Sequence, residues 1–185
     1  ACSLGSSGQF VAYSPAAHKK LAEDLHLEHT LRLAVESSSL EVVYQARQSM
    51  RTNRFCGVEA LVRWNLNGTA ISPARFIPIA ERNGLIGAIG KFVFEKSLID
   101  LKPHVLKGSA LAVNLSANQL LDATLPSFFL STTRNAGLEP ESIELELTES
   151  ALMEHFDRAL AFLEEVRSLG FHVAIDDFGT GYSSL

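Results

Sequence analysis

A barrel-type α/β fold is predicted by three observations on this sequence. Strand-like and helical stretches alternate, the strands separate polar from apolar residues by parity, and the polar parity repeatedly ends in a carboxylate or an amide. In 55–64 one parity carries Gly57, Glu59, Leu61 and Arg63, and the other Cys56, Val58, Ala60, Val62 and Trp64. The same split sets Leu111, Val113 and Leu115 against Ala110, Ala112 and Asn114, and Ile143, Leu145 and Leu147 against Glu144, Glu146 and Thr148. Val173 and Ile175 likewise oppose His172, Ala174 and Asp176. Repeated strand-helix units predict a mainly parallel sheet covered by helices. An open sheet buries both faces under apolar helices, where a polar parity is costly. A barrel turns that parity inward, toward a site at its C-terminal rim.

The elements follow in chain order. Ser14 caps a helix expected from Ala16 to about Glu36, with Pro15 at its first position and an apolar stripe of Leu21, Leu25, Leu31 and Val35, broadened by Leu27 and Leu33. Strands are expected at 40–45, 55–64, 110–115, 143–148 and 171–176. Between them, Ser72-Pro73 opens a helical turn that Pro78 interrupts, giving a helix at 78–82, and another runs over 85–101. Ser116 and Gln119 have capping-box spacing, opening a helix at 117–121 that extends into 127–135. The last helix, 151–169, presents Leu152, Phe156, Leu160, Leu163 and Val166 on one face and closes at Gly170.

With 185 residues, 46% of them apolar, and a formal net charge of -5, the chain is large enough for one ordinary core. Its acidic balance argues against non-specific binding to DNA or RNA, so no nucleic-acid polymer is expected as a partner. Cys2 and Cys56 suggest neither a disulfide framework nor a thiolate metal site, and a reducing, cytoplasmic setting is the expectation.

The densest chemistry lies at Asp176-Asp177-Phe178-Gly179-Thr180-Gly181, where two adjacent acids end a strand and meet a glycine-rich turn. Paired carboxylates repel unless a cation or a shared proton joins them. With Glu59, Asn114 and Glu146 on the inward parity, the set is four carboxylates and one amide oxygen, which suits Mg2+ or Mn2+ better than zinc. Two ions are expected if one acid bridges them. Arg63, four residues beyond Glu59 on the same face, is placed to clamp a phosphate oxygen.

These residues carry a family resemblance. Glu59-Ala60-Leu61-Val62-Arg63-Trp64, Val113-Asn114-Leu115-Ser116, Glu146-Leu147-Thr148-Glu149-Ser150 and Asp176-Asp177-Phe178-Gly179-Thr180-Gly181-Tyr182 resemble the successive motifs of the EAL domain, a family of bacterial cyclic-di-GMP phosphodiesterases. The resemblance implies a TIM-like (β/α)8 barrel whose first strand is antiparallel, with about five barrel strands in this chain. It implies Glu59, Asn114, Glu146 and Asp176 as metal ligands, Asp177 as ligand to the second ion, and Glu149 as anchor of the loop after Asp177. Gln45 matches a glutamine of the nucleotide pocket, and Arg63 a phosphate-contacting arginine. The implied reaction is metal-dependent hydrolysis of cyclic-di-GMP to linear pGpG by the complete parent domain, in a homodimer. The alternative is a non-catalytic cyclic-di-GMP receptor or signalling scaffold.

Two departures stand out. The family's Gln-Pro-Ile is Gln45-Ala46-Arg47 here, which adds a charge, and its His-Pro is Asn65-Leu66. The family's water-contacting lysine and later acids fall beyond Leu185, so this span alone is expected to be inactive. Residues 1–14 resemble the tail of a GGDEF-like domain, 15–37 read as a connecting helix, and 38–185 as the N-terminal part of the barrel. That arrangement implies a cytoplasmic unit, which can belong to a larger membrane-linked signalling protein.

Overall fold

Strand β1 (Glu41–Gln48) runs antiparallel to β2 (Phe55–Leu66), and β2, β4 (Ala110–Leu115), β5 (Ile143–Thr148) and β6 (His172–Asp176) then run parallel in that order. The computed structural model describes residues 15–101 and 109–176, with side chains from residue 23 onward. The GGDEF-like tail expected at 1–14 and the loop from Asp177 lie outside the described residues. Among the described residues the architecture is a mixed α/β sheet with an antiparallel first strand. The parallel steps require crossovers, and these are supplied by α2 (Pro73–Arg82), α3 (Ile86–Leu101), α4 (Leu125–Asn135), α5 (Glu149–Glu154) and α6 (Phe156–Ser168).

One face of the sheet forms the core. Leu111, Val113, Ile143, Leu145 and Leu147 are almost completely buried, as the alternation demands, and each contributes about 1.5–3 kcal/mol by leaving water. Against them α3 sets Ile86, Ile89 and Val93, and Phe94, Leu98 and Leu101, each set spaced three or four apart. Phe94 meets Phe129 of α4 with ring centroids 4.6 Å apart, and Phe129 in turn meets Phe171 at 6.3 Å. Trp64 stands edge-on to Phe76 of α2 at 5.7 Å. On the other face, Gly57 packs so tightly on β4 that an added Cβ would stand 2.1 Å from the Ala110 carbonyl oxygen.

Several expected elements differ from the fold. Helix α1 (Pro15–Glu36) buries Leu27, Leu31 and Ala34, while Leu25, assigned to its stripe, is exposed. β1 continues to Gln48, and β2 turns back through Asn67 and Gly68, both at positive φ, into a short strand β3 (Thr69–Ile71) that the sequence reading missed. Pro78 lies within one continuous α2: it is exposed, while Phe76, Ile79 and Ala80 are buried and hold the helix together. The expected helix at 117–121 is a 3-10 turn, separate from α4.

The expected helix 151–169 is broken at His155 (φ -138, ψ 57) into α5 and α6. The break rotates α6 so that Ala159, Phe162 and Val166 point inward, and Phe156 and Leu160 are exposed instead of buried.

No helix among the described residues is long and apolar enough to cross a membrane.

Candidate functional site

Strand register sets the site. Glu59 lies opposite Ala112, so Asn114 stands one same-face step further along β4. Asn114 is level with Glu146. Glu146 in turn faces Ala174, which puts Asp176 one step further along β6. The four positions thus share one sheet face but are staggered by two residues between β2 and β4 and again between β5 and β6, a stagger of the kind tilted strands produce. Across the antiparallel pair, Gln45 of β1 is opposite Glu59.

Two side-chain groupings form on this face. Asn114 Nδ2 donates to Glu59 Oε1 at 2.7 Å, joining β4 to β2. Beside them, Glu146 is buried at 6% exposure. Arg47 Nη1 reaches Glu146 Oε1 at 2.9 Å and Glu144 Oε1 at 2.6 Å. Burial pushes the Glu146 carboxyl up to about 7: the Arg47 charge opposes this, and the negative charges of Glu59 and Glu144 add to it. Burial disfavours the Arg47 cation, yet the bond to Glu144 and the charges of both acids raise it above its ordinary value.

Arg63 and Asn114 also line a cavity of about 470 Å3, together with Glu81, Gln119 and apolar residues such as Val62, Ile86, Ile89 and Leu115; Glu59 and Glu146 are not among its lining. Arg63 Nη1 donates to the Val62 carbonyl at 2.9 Å, which folds the guanidinium against its own strand. Burial, with the Glu154 charge, raises the Glu81 carboxyl. Gln119, only 4% exposed, accepts from the Ser116 N–H at 3.0 Å through Oε1, so the reciprocal half of the expected capping box is present.

Glu149 is buried at the first position of α5, after Thr148, whose hydroxyl accepts from the Ala151 N–H at 3.1 Å. Asp176 ends β6 and is exposed. Asp177 lies outside the described residues.

The structure thus brings Glu59 and Asn114 into contact, sets Glu146 in the same layer, and puts Arg63 at the mouth. The donors are hard oxygens on one sheet face, a set whose chemistry fits Mg2+ or Mn2+. Among the described residues, no three His, Cys, Asp or Glu side chains are gathered closely enough to hold a metal ion. Arg47 is the charged side chain on this face whose contacts the sequence reading missed. It was visible there as a departure on the parity of Gln45, but its carboxylate partners lie on β5, across β2 and β4 in the sheet.

The EAL domain profile matches residues 28–185. The chain is similar to the bifunctional diguanylate cyclase/cyclic di-GMP phosphodiesterase MucR of Pseudomonas aeruginosa, with 40% identity over 167 residues covering 88% of this chain and 24% of that protein. It is also similar to the cyclic di-GMP phosphodiesterase PdeR of Escherichia coli, with 37% identity over 188 residues covering 98% of this chain and 28% of that protein. Relatives of this kind are thus several times longer than this chain.

Among solved structures, the MucR phosphodiesterase in complex with c-di-GMP superposes with a TM-score of 0.77 at 38% identity, covering 86% of this chain and 66% of that one. The Pseudomonas aeruginosa FimX EAL domain bound to c-di-GMP gives 0.75 at 27% identity, covering 83% and 62%. Because the profile match runs through every strand from β1 to β6, the chain belongs to the EAL domain family.

Proposed function

We propose that this chain forms one wall of a cyclic-di-GMP binding site, and that binding the dinucleotide is its primary role in the parent protein. The observation that carries the reading is that Asn114, which holds Glu59, also lines a cavity with Arg63. Similarity to EAL domains solved with c-di-GMP supports it. In this reading Arg63 leaves the Val62 carbonyl to clamp a phosphate, since a guanidinium gains more from a charged, bidentate partner than from one carbonyl. Gln45 contributes hydrogen bonds from β1, and buried Glu149 anchors the loop beyond Asp177.

The second reading is hydrolysis to pGpG by the complete domain, favoured by the oxygen donors that the register puts on one face of neighbouring strands. Glu59, Asn114, Glu146, Asp176 and Asp177 would hold the divalent ions. A bound pair of such ions supplies charge neutralisation and an activated water at a phosphodiester. Asn114 keeps the Glu59 carboxylate oriented, and Arg63 holds the scissile phosphate in line.

Incubating the full-length protein with cyclic-di-GMP and Mn2+, and following both bound nucleotide and pGpG by chromatography, separates the two. Bound nucleotide without pGpG supports the receptor reading, and steady pGpG release supports the enzyme. Retention of neither rejects both.

A further inference from the structure

Arg47 lies beneath the rim rather than at it. It faces Gly57 in the β1–β2 register, one same-face step deeper than the Gln45–Glu59 pair. Glu144 is likewise one step deeper on β5 than Glu146. The guanidinium therefore rises from the floor of the site, and a single nitrogen, Nη1, bridges both acids at 2.6 and 2.9 Å. Ligands entering from the C-terminal rim approach Glu146 from the other side.

Glu146 is the most enclosed of the rim carboxylates that are described, and a buried carboxylate stays ionised only beside a compensating positive charge. Either a divalent ion or a guanidinium can supply it. Both draw on the same carboxylate, and a guanidinium already bonded at 2.9 Å lowers the negative potential that a second cation would feel.

We propose that Arg47 is a built-in competitor of the divalent cation: by engaging Glu146 from below, it weakens Mg2+ and Mn2+ binding in the Glu59–Asn114–Glu146 layer. The inference rests on the reading that this layer can take a metal ion. Arg47 touches neither nucleotide nor reacting atoms here, and acts through Glu146 as a positioning residue. Its consequence is a site in which nucleotide capture depends less on divalent ions than it would with an apolar residue at position 47.

The test is Mn2+ binding, read from loss of the free-ion electron paramagnetic resonance signal on titration of the full-length protein, its Arg47→Gln and Arg47→Lys variants, and an Arg47→Gln/Glu146→Gln double variant. Glutamine keeps hydrogen-bond donors near both acids while removing the charge, which protects the fold, and circular dichroism verifies it. Arg47→Gln is expected to bind Mn2+ at least about tenfold more tightly. Arg47→Lys should stay close to the parent, and the double variant should lose the gain. Equal or weaker Mn2+ binding by Arg47→Gln, with measurable binding by the parent, overturns the inference and leaves the metal reading standing. Absence of Mn2+ binding in both rejects the metal reading, and the inference with it.

Discussion

Asn114 and Glu59 meet at 2.7 Å across the parallel pair β2–β4, amide nitrogen to carboxylate oxygen, on the sheet face that carries Glu146. The contact neutralises nothing, yet it fixes the carboxylate and turns the amide oxygen of Asn114 away from it. Asn114→Asp would put two carboxylates where a donor and an acceptor now sit. That variant should lose about 1 kcal/mol in urea denaturation without divalent ions, the exposed setting keeping the penalty small. Millimolar Mn2+ should restore most of the loss. A variant as stable as the parent in chelator would show that this contact does not order the rim.

A second prediction concerns the cavity wall. An added Cβ at Gly90 of α3 would stand 2.1 Å from Gln119 Nε2, and Gln119 is buried with its Oε1 engaged by the Ser116 N–H. Gly90→Ala should therefore cost about 1–3 kcal/mol as an overpacked site. Adding Gln119→Ala should recover part of that cost, and strictly additive losses in a double-mutant cycle would count against the clash.

On the same helix, position decides magnitude. Phe94 is fully buried among Phe128 and Phe129, whereas Ile99 is 71% exposed. Phe94→Ala is expected to lose about 3–5 kcal/mol, while Ile99→Ala should stay within about 0.5 kcal/mol. Similar losses in thermal or urea unfolding would mean that α3 does not pack by the face described.

Tyr44 gives a pH signature. Burial, reinforced by the 2.8 Å hydrogen bond to Asp100, raises its phenol from 10.0 to about 12. The folded value exceeds the unfolded one, so the folded chain retains a proton that the unfolded chain releases. The stability tied to that proton is fully present below about pH 10 and is lost as pH rises from about 10 toward 12. Tyr44→Phe should flatten that decline in urea midpoints measured on either side of pH 10. A parent and variant that fall in parallel would remove Tyr44 as its source.

How far the sequence could be read depended on whether local pattern and tertiary packing agreed. β4 and β5 were legible to the residue, because Leu111, Val113, Leu115, Ile143, Leu145 and Leu147 alternate strictly with polar or small partners. The faces of α1 and α6 were not: apolar residues occur on more than one side, and periodicity alone cannot say that Leu25 and Leu160 face solvent. The break at His155 carries neither proline nor glycine to announce it. The Asn67-Gly68 turn into β3 was passed over although Asn-Gly is a hairpin signal. At the site, parity placed Glu59, Asn114, Glu146 and Asp176 on one face, whereas the Arg47 contacts with Glu144 and Glu146 join strands far apart in the chain and separated by two strands in the sheet, which no local pattern announces.

The proposed role is tested most directly by calorimetric titration of cyclic-di-GMP into the full-length protein and its Arg63→Ala variant, each in chelator and in Mn2+. A saturable isotherm for the parent, weakened at least about tenfold in Arg63→Ala, is the expected result. No heat of binding in either buffer, or an isotherm indifferent to Arg63, would contradict the account.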